Sequence, residues 1–293
     1  MPDLQTDRLS ISYRDTGPRH GKAVLLLHGW PDDSSTWDAV AEKLNVGGLR
    51  TVIPNLRGFG ETRFLSETEM RTANSGVLAM DAVALMDGLG IETFSVAGHD
   101  WGSNIAEALA VGWPDRVDGI AMLSTPTQLG GSPVPAARHA RPEWWSRWFH
   151  AGGRGANRVR KDRKGFAHAM WKNWSPPGWF DEETFDQVAR SFENPDWVDV
   201  TLHAYRTRWG EASPDADSIW LEDMMRETRS LSLPALVFQG AEDGIIRPEA
   251  TQRIADKFDG PFEYVLMPDV GHFPTREAPD MVGDMLTEHF GGC

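Results

Sequence analysis

Short apolar runs alternate with stretches of helical period over the first 125 residues. Ala23–Leu27, Arg50–Ile53, Thr93–Ala97 and Gly119–Leu123 read as buried strands, bounded by Gly, Pro or polar residues. Between them, Ser75–Leu89 and Gly102–Val111 carry helix-forming composition at helical spacing. Strand–helix alternation of this kind predicts a mostly parallel sheet flanked by helices on both faces. The pattern stops near Thr125 and resumes at Pro234, with strands at Ala235–Gln239 and Phe262–Leu266 and helices at Glu249–Phe258 and Ala278–Phe290. The stretch between holds helical segments broken by Gly152-Gly153 and Pro176-Pro177, and no convincing strand. The chain therefore divides into a sheet-bearing core, 1–125 with 234–293, and a helical insertion over 126–233. Open α/β sheets bind ligands outside the carboxyl ends of their strands, so an insertion after such an end roofs the site.

Tryptophan sharpens that division. Nine of the 13 tryptophans lie between Trp144 and Trp220, against only three tyrosines in the chain. A helical roof over the apolar mouth of a sheet gains large covering area per residue from indole rings. Two or three of the nine are expected to line a pocket, and the rest to pack.

Charge and cysteine narrow the classes. A net charge of −14 repels phosphate backbones, which disfavours nucleic acid as a partner. The basic run Arg154–Lys164, six cations in eleven residues, reads better as a solvated helix face. Cys293 is the single cysteine, so no disulfide forms within the chain, which suits a reducing compartment. No apolar run approaches the roughly 18 residues that span a bilayer, and the N-terminus shows no apolar leader segment. A cytoplasmic protein without membrane partners, monomeric or homodimeric, is the expectation. His139, His150, His168 and His203 show no metal-ligand spacing, so neither metal nor other cofactor is expected.

The sharpest motif is Gly98-His99-Asp100-Trp101-Gly102, between a predicted strand and a predicted helix. It fits the G-x-Nuc-x-G elbow of the α/β-hydrolase fold, with Asp100 in the nucleophile position. Three further pieces follow the same fold's order. Leu27-His28-Gly29-Trp30-Pro31 ends an early strand, where a backbone oxyanion donor belongs; Gly240-Ala241-Glu242-Asp243 occupies the triad-acid position; and Gly271-His272-Phe273 follows the last strand. Gly58-Phe59-Gly60 is no dinucleotide fingerprint, since Arg63 stands where the third glycine belongs.

Over nearly its full length the chain resembles the epoxide hydrolase branch of the α/β-hydrolase superfamily. The resemblance rests on His28–Pro31, on Arg57-Gly58-Phe59-Gly60-Glu61-Thr62, on Gly98–Gly102 and on Gly271-His272; Asn55 departs from the aspartate frequent there. It implies an α/β-hydrolase fold with a helical cap inserted after the sixth strand, a cis peptide at Trp30–Pro31, and Asp243 rather than Glu242 as the acid.

Aspartate in the nucleophile position selects the electrophile. Attack on a carbonyl would give an anhydride, whereas attack on an sp³ carbon gives an ordinary ester that water can hydrolyse. In the second step the oxyanion develops on Asp100 itself, with the backbone N–H groups of Trp30 and Trp101 as donors worth about 3 kcal/mol each. His272 serves as base for the water, and Asp243 holds its tautomer.

Opening an epoxide demands a proton donor opposite the nucleophile. The resemblance implies two cap tyrosines. Tyr205 matches one, while the other falls within Glu143–Phe149, where Trp145 and Trp148 stand. Indole donates a hydrogen bond but gives up no proton, leaving Tyr205 alone in that role. The substrate-binding set is then Trp101, Trp145, Trp148 and Tyr205, and the expected partners are a small apolar epoxide and water. Two alternatives stand behind this reading. One is a haloalkane dehalogenase cradling halide between Trp101 and Trp145 or Trp148; the other is a hydrolase scaffold kept as a binding protein.

Overall fold

The computed structural model describes residues 1–131 and 154–292. Its strands are β1 (Asp3–Gln5), β2 (Leu9–Thr16), β3 (Ala23–Leu27), β4 (Arg50–Pro54), β5 (Arg63–Phe64), β6 (Phe94–His99), β7 (Val117–Leu123), β8 (Ala235–Gly240) and β9 (Phe262–Met267). The helices before the insertion are α1 (Asp38–Val46), α2 (Ser75–Gly88) and α3 (Trp101–Gly112). Between β7 and β8 come α4 (Arg154–Lys161), α5 (Arg163–Trp174), α6 (Glu182–Ala189), α7 (Trp197–Arg208) and α8 (Ile219–Glu227). The last three are α9 (Pro248–Thr251), α10 (Pro274–Glu277) and α11 (Pro279–Gly291).

One sheet carries all nine strands in the order β1-β2-β4-β3-β6-β7-β8-β9, with β5 pairing β2. The pairs involving β2 are antiparallel, and every pair from β4 to β9 along that path is parallel. Burial on both faces explains the uninterrupted apolar run of β3. Leu25 and Leu27 join the core beneath α2 and α3, while Val24 and Leu26 join a second core with α1 and α11.

The strand order places the site. The chain passes from β3 outward to β4, then returns to lay β6 on the other side of β3. Neighbouring strands whose connections diverge leave a crevice at their carboxyl ends. The residues emerging there are His28-Gly29-Trp30 after β3 and Asp100 after β6.

Helices from the 126–233 stretch come down over these strand ends. The Trp171 indole donates to the Pro31 carbonyl at 2.7 Å. The Trp174 carbonyl accepts from the Gly244 and His272 N–H groups at 3.0 and 3.1 Å. One helix, α5, is thereby tied to the loops after β3, β8 and β9. The basic run makes outward ion pairs, Arg160 with Asp199 and Lys164 with Asp186, while Arg163 donates to the Phe192 and Asn194 carbonyls. Among the described residues no helix is long and apolar enough to cross a membrane.

Several elements differ from the sequence expectation. Counted in chain order, the insertion follows the seventh strand rather than the sixth, because the two-residue β5 adds one. The N-terminal strand β2 escaped the reading for apolar runs, since Leu9, Ile11 and Tyr13 alternate with polar residues, as suits an antiparallel strand. Helix α1 is a short, weakly patterned segment whose Val40, Ala41 and Leu44 are buried between the sheet and α11. The Glu249–Phe258 helix divides into α9 and a six-residue 3₁₀ turn. β6 runs two residues past Ala97, since Gly98 and His99 keep pairing with Met122 and Leu123. That extension delivers the chain directly into Asp100.

Candidate active site

Asp100 sits at φ 51° and ψ −113°, a left-handed conformation that a non-glycine residue adopts at a cost of about 1–3 kcal/mol. The surroundings hold it there. Its N–H donates to the Leu123 carbonyl at 3.0 Å, and its own carbonyl accepts from the Ser103 N–H at 3.0 Å. The flanking glycines are required by space. A Cβ on Gly98 would lie 2.0 Å from the Gly102 carbonyl oxygen, and one on Gly102 would lie 2.1 Å from that of Leu27. A Cβ on Gly29 would lie 2.4 Å from the Asp100 Cβ.

The two carboxylate oxygens of Asp100 meet different partners. Oδ1 accepts the Trp30 N–H at 2.9 Å. Oδ2 lies 3.7 Å from His272 Nε2, an ion-pair contact too long for a hydrogen bond. The expected cis peptide joins Trp30 to Pro31. No hydrogen bond joins the Trp101 backbone N–H to the Asp100 side chain among those described, so one of the two expected backbone donors is engaged.

His272 is fully buried, and its Nδ1 faces Asp243 Oδ2 at 2.9 Å. The other Asp243 oxygen accepts from the Ile245 and Ile246 N–H groups at 2.9 and 2.8 Å, fixing the carboxylate plane. Glu242 donates its backbone N–H to the Val270 carbonyl, and it is Asp243 whose side chain reaches the imidazole. Burial alone would lower the pKa of His272. Asp243 and Asp100 together outweigh it and hold the imidazole up to about 10. Burial likewise pushes the Asp100 carboxyl up, but His272 and the Trp30 N–H leave it below the usual carboxylate value. The resting site is a carboxylate–imidazolium–carboxylate row.

Across from Asp100, the Tyr205 ring packs edge-on against Trp30 and Trp101 at centroid distances of 5.3 and 5.8 Å. Burial and the Asp100 charge raise its phenol well above 10, while Arg208 and a hydrogen bond with the Trp101 side chain pull the other way. Asp100, His272, Asp243, Tyr205, Trp30 and Trp101 thus come together at one crevice. Trp145 and Trp148 lie outside the described residues.

A family model for the alpha/beta hydrolase fold matches residues 22–279. The chain belongs to the α/β-hydrolase fold family. It is 28% identical to a soluble epoxide hydrolase of Corynebacterium sp. over 92% of this chain and 90% of that one. It is 23% identical to epoxide hydrolase A of Mycobacterium tuberculosis over 99% and 96% of the two chains. A crystal structure of a candidate epoxide hydrolase from Klebsiella pneumoniae superposes with a TM-score of 0.91 at 34% identity, covering 99% of this chain and 97% of that one.

Within this α/β-hydrolase site, several supporting residues carry no sequence signal. Ser175 Oγ accepts the His272 N–H at 2.8 Å and donates to Glu277, whose carboxylate also takes the Gly271 and Phe273 N–H groups. The approach of Ser175 explains Gly271, where a Cβ would lie 2.3 Å from the serine oxygen. His99 is neutral, its pKa lowered by burial to about 4, and its Nε2–H donates to the His272 carbonyl at 2.6 Å. Gln239 donates to Asp243 at 3.3 Å. His99 lies inside the Gly98–Gly102 motif, but neither Ser175 nor Glu277 stands at a motif spacing, and folding alone brings them to His272.

Proposed function

We propose that the chain hydrolyses epoxides to vicinal diols through a covalent ester on Asp100. The observation that carries this reading is the unequal pairing of the two Asp100 oxygens. In this reading Oδ1, held by the Trp30 N–H, becomes the ester carbonyl, and Oδ2, which makes only the long contact with His272, attacks. Relatives described as epoxide hydrolases support the same substrate class.

In the first step Oδ2 forms a bond to a ring carbon while that carbon's bond to the epoxide oxygen breaks. The alkoxide takes its proton from Tyr205. A buried phenol whose pKa is raised by the Asp100 charge stays protonated at rest, and it becomes a better donor as the attack consumes that charge. Loss of the Asp100 charge also removes one of the two anions that hold the His272 proton. That proton returns to the Tyr205 phenolate through solvent, leaving His272 neutral.

In the second step neutral His272 takes a proton from water as the water oxygen adds to Cγ of Asp100. The oxyanion forms on Oδ1, where the Trp30 N–H already points. The Cγ–Oδ2 bond then breaks, the departing oxygen takes the remaining proton, and the diol leaves with Oδ2. Asp243 keeps the Nδ1 proton in place throughout.

His272→Ala should stop the cycle at the ester. Incubated with styrene oxide, this variant is expected to gain the mass of one substrate on the peptide containing Asp100, while wild type releases diol. A stable adduct from 1-bromobutane with bromide release, and none from the epoxide, would replace this reading with the dehalogenase.

A further inference from the structure

A cavity of about 270 Å³ opens beside the Trp101 ring, among α2, α3, α7 and α8. The polar groups on its wall are mostly engaged. Glu222 accepts from the Asn74 side chain and from the Gly76 N–H at the start of α2. Arg226 pairs with Asp223 at 2.6 Å. Asn104 donates to the Pro126 carbonyl, and Gln128 accepts from Ser75. Arg208 differs. It is half-buried on the same wall, and among the described residues its guanidinium makes no hydrogen bond or ion pair. A guanidinium partly withdrawn from water without a partner is held at an energetic disadvantage that an anionic ligand would relieve.

Its position connects it to the reacting groups. Arg208 follows Tyr205 by three residues on α7, which puts the two side chains on neighbouring positions of one helix face. Trp101 bridges them, since its ring touches Tyr205 and also forms part of the cavity wall. Trp101 is the contact between the two, so a substituent on an epoxide at Asp100 would have to run along its ring to reach this space, where Arg208 stands about one helical turn beyond Tyr205.

Resting on the epoxide-opening reading above, we propose that this cavity is the distal half of the substrate site and that Arg208 binds a carboxylate carried by the epoxide. The substrate class becomes an epoxide with an apolar middle, lying along Trp101, and an acid tail. This departs from the small, wholly apolar epoxide that the tryptophan content suggests. Glu222 faces the same cavity, but its charge is already turned onto the start of α2 and Asn74.

The test uses 4-(oxiran-2-yl)benzoate and its uncharged counterpart 4-(oxiran-2-yl)benzamide, with diol formation measured for wild type, Arg208→Gln and Arg208→Lys. Wild type is expected to favour the benzoate by about tenfold in kcat/KM, carried by KM, as for a charge-assisted contact made equally in ground and transition states. Arg208→Gln should bring that ratio close to one, and Arg208→Lys should keep part of it. The ratio is internal to each variant, so partial loss of folded protein does not change it. Equal turnover of both substrates by wild type, or a ratio that survives Arg208→Gln, overturns the role of Arg208 while leaving epoxide hydrolysis standing. No diol from either substrate, together with no adduct on His272→Ala, overturns the epoxide reading and this proposal with it.

Discussion

Asp100 Oδ2 and His272 Nε2 face each other at 3.7 Å, beyond a good hydrogen bond yet close enough for strong charge coupling within a buried site. The His272 ring is fixed from behind by Asp243 at 2.9 Å, and its backbone is fixed by Trp174, Ser175 and His99. Asp100 is fixed by the elbow and by Trp30. The gap is therefore set by two independently anchored groups, and it is where the hydrolytic water is proposed to work.

The first prediction concerns the fate of oxygen. A single turnover in ¹⁸O-water, with enzyme in excess over styrene oxide, should leave the label in Asp100 and none in the diol, because Oδ2 departs with the product. Repeated turnover should then deliver label to the diol. Label in the diol from the first turnover would mean that water attacks the epoxide directly.

Tyr205→Phe removes the phenol proposed as proton donor while keeping the ring that packs against Trp30 and Trp101. Adduct formation with styrene oxide, followed by rapid quench in the His272→Ala background, should slow by about 10²–10⁴-fold. An unchanged rate would assign protonation of the alkoxide elsewhere. Because the phenol is held well above 10, its ionisation should produce no alkaline fall in adduct formation below about pH 10.

The raised pKa of His272 makes a stability prediction with a definite sign. Its folded value of about 10 exceeds the ordinary 6.5, so its contribution is complete below about pH 6.5 and is lost as pH rises towards 10. Asp100→Asn removes one of the anions responsible and lowers the folded value. Urea unfolding at pH 7 and pH 9.5 should show the stability of wild type relative to Asp100→Asn falling with pH. A constant difference would mean that Asp100 does not hold the proton on His272.

Gly98→Ala tests the elbow. A Cβ there would stand 2.0 Å from a carbonyl oxygen, which requires backbone movement rather than a rotamer change. We expect a stability loss of about 2–3 kcal/mol or more and turnover reduced to background, read by thermal melting and diol formation. Wild-type behaviour in both would show that the turn between β6 and α3 is looser than its geometry requires.

Most of the core was legible along the chain because its signals are local. A strand buried on both faces must be apolar throughout, so β3, β4, β6, β7, β8 and β9 show themselves as short runs within a few residues of their observed ends. The elbow was legible for a related reason. A strained strand-to-helix turn admits only glycine at Gly98 and Gly102, and this leaves a spacing visible without any partner.

What tertiary structure alone decided has a different character. Helix α1 packs on the sheet and α11, and strand β2 pairs with β1, β4 and β5, so their placement rests on partners that their own weak patterns do not record. The insertion shows the same division. Its tryptophan content announces an aromatic roof, but that Trp171 and Trp174 tie down the loops carrying Trp30, Asp243 and His272 depends on how α5 lies across them. Ser175, Glu277, Gln239 and Arg208 take their places through contacts spanning up to about a hundred residues or through the lack of a partner in a cavity wall. Local steric and solvation rules leave their mark at fixed spacings in a chain. Charge coupling and cavity lining arise between segments that only the sheet order brings together, and no spacing records them.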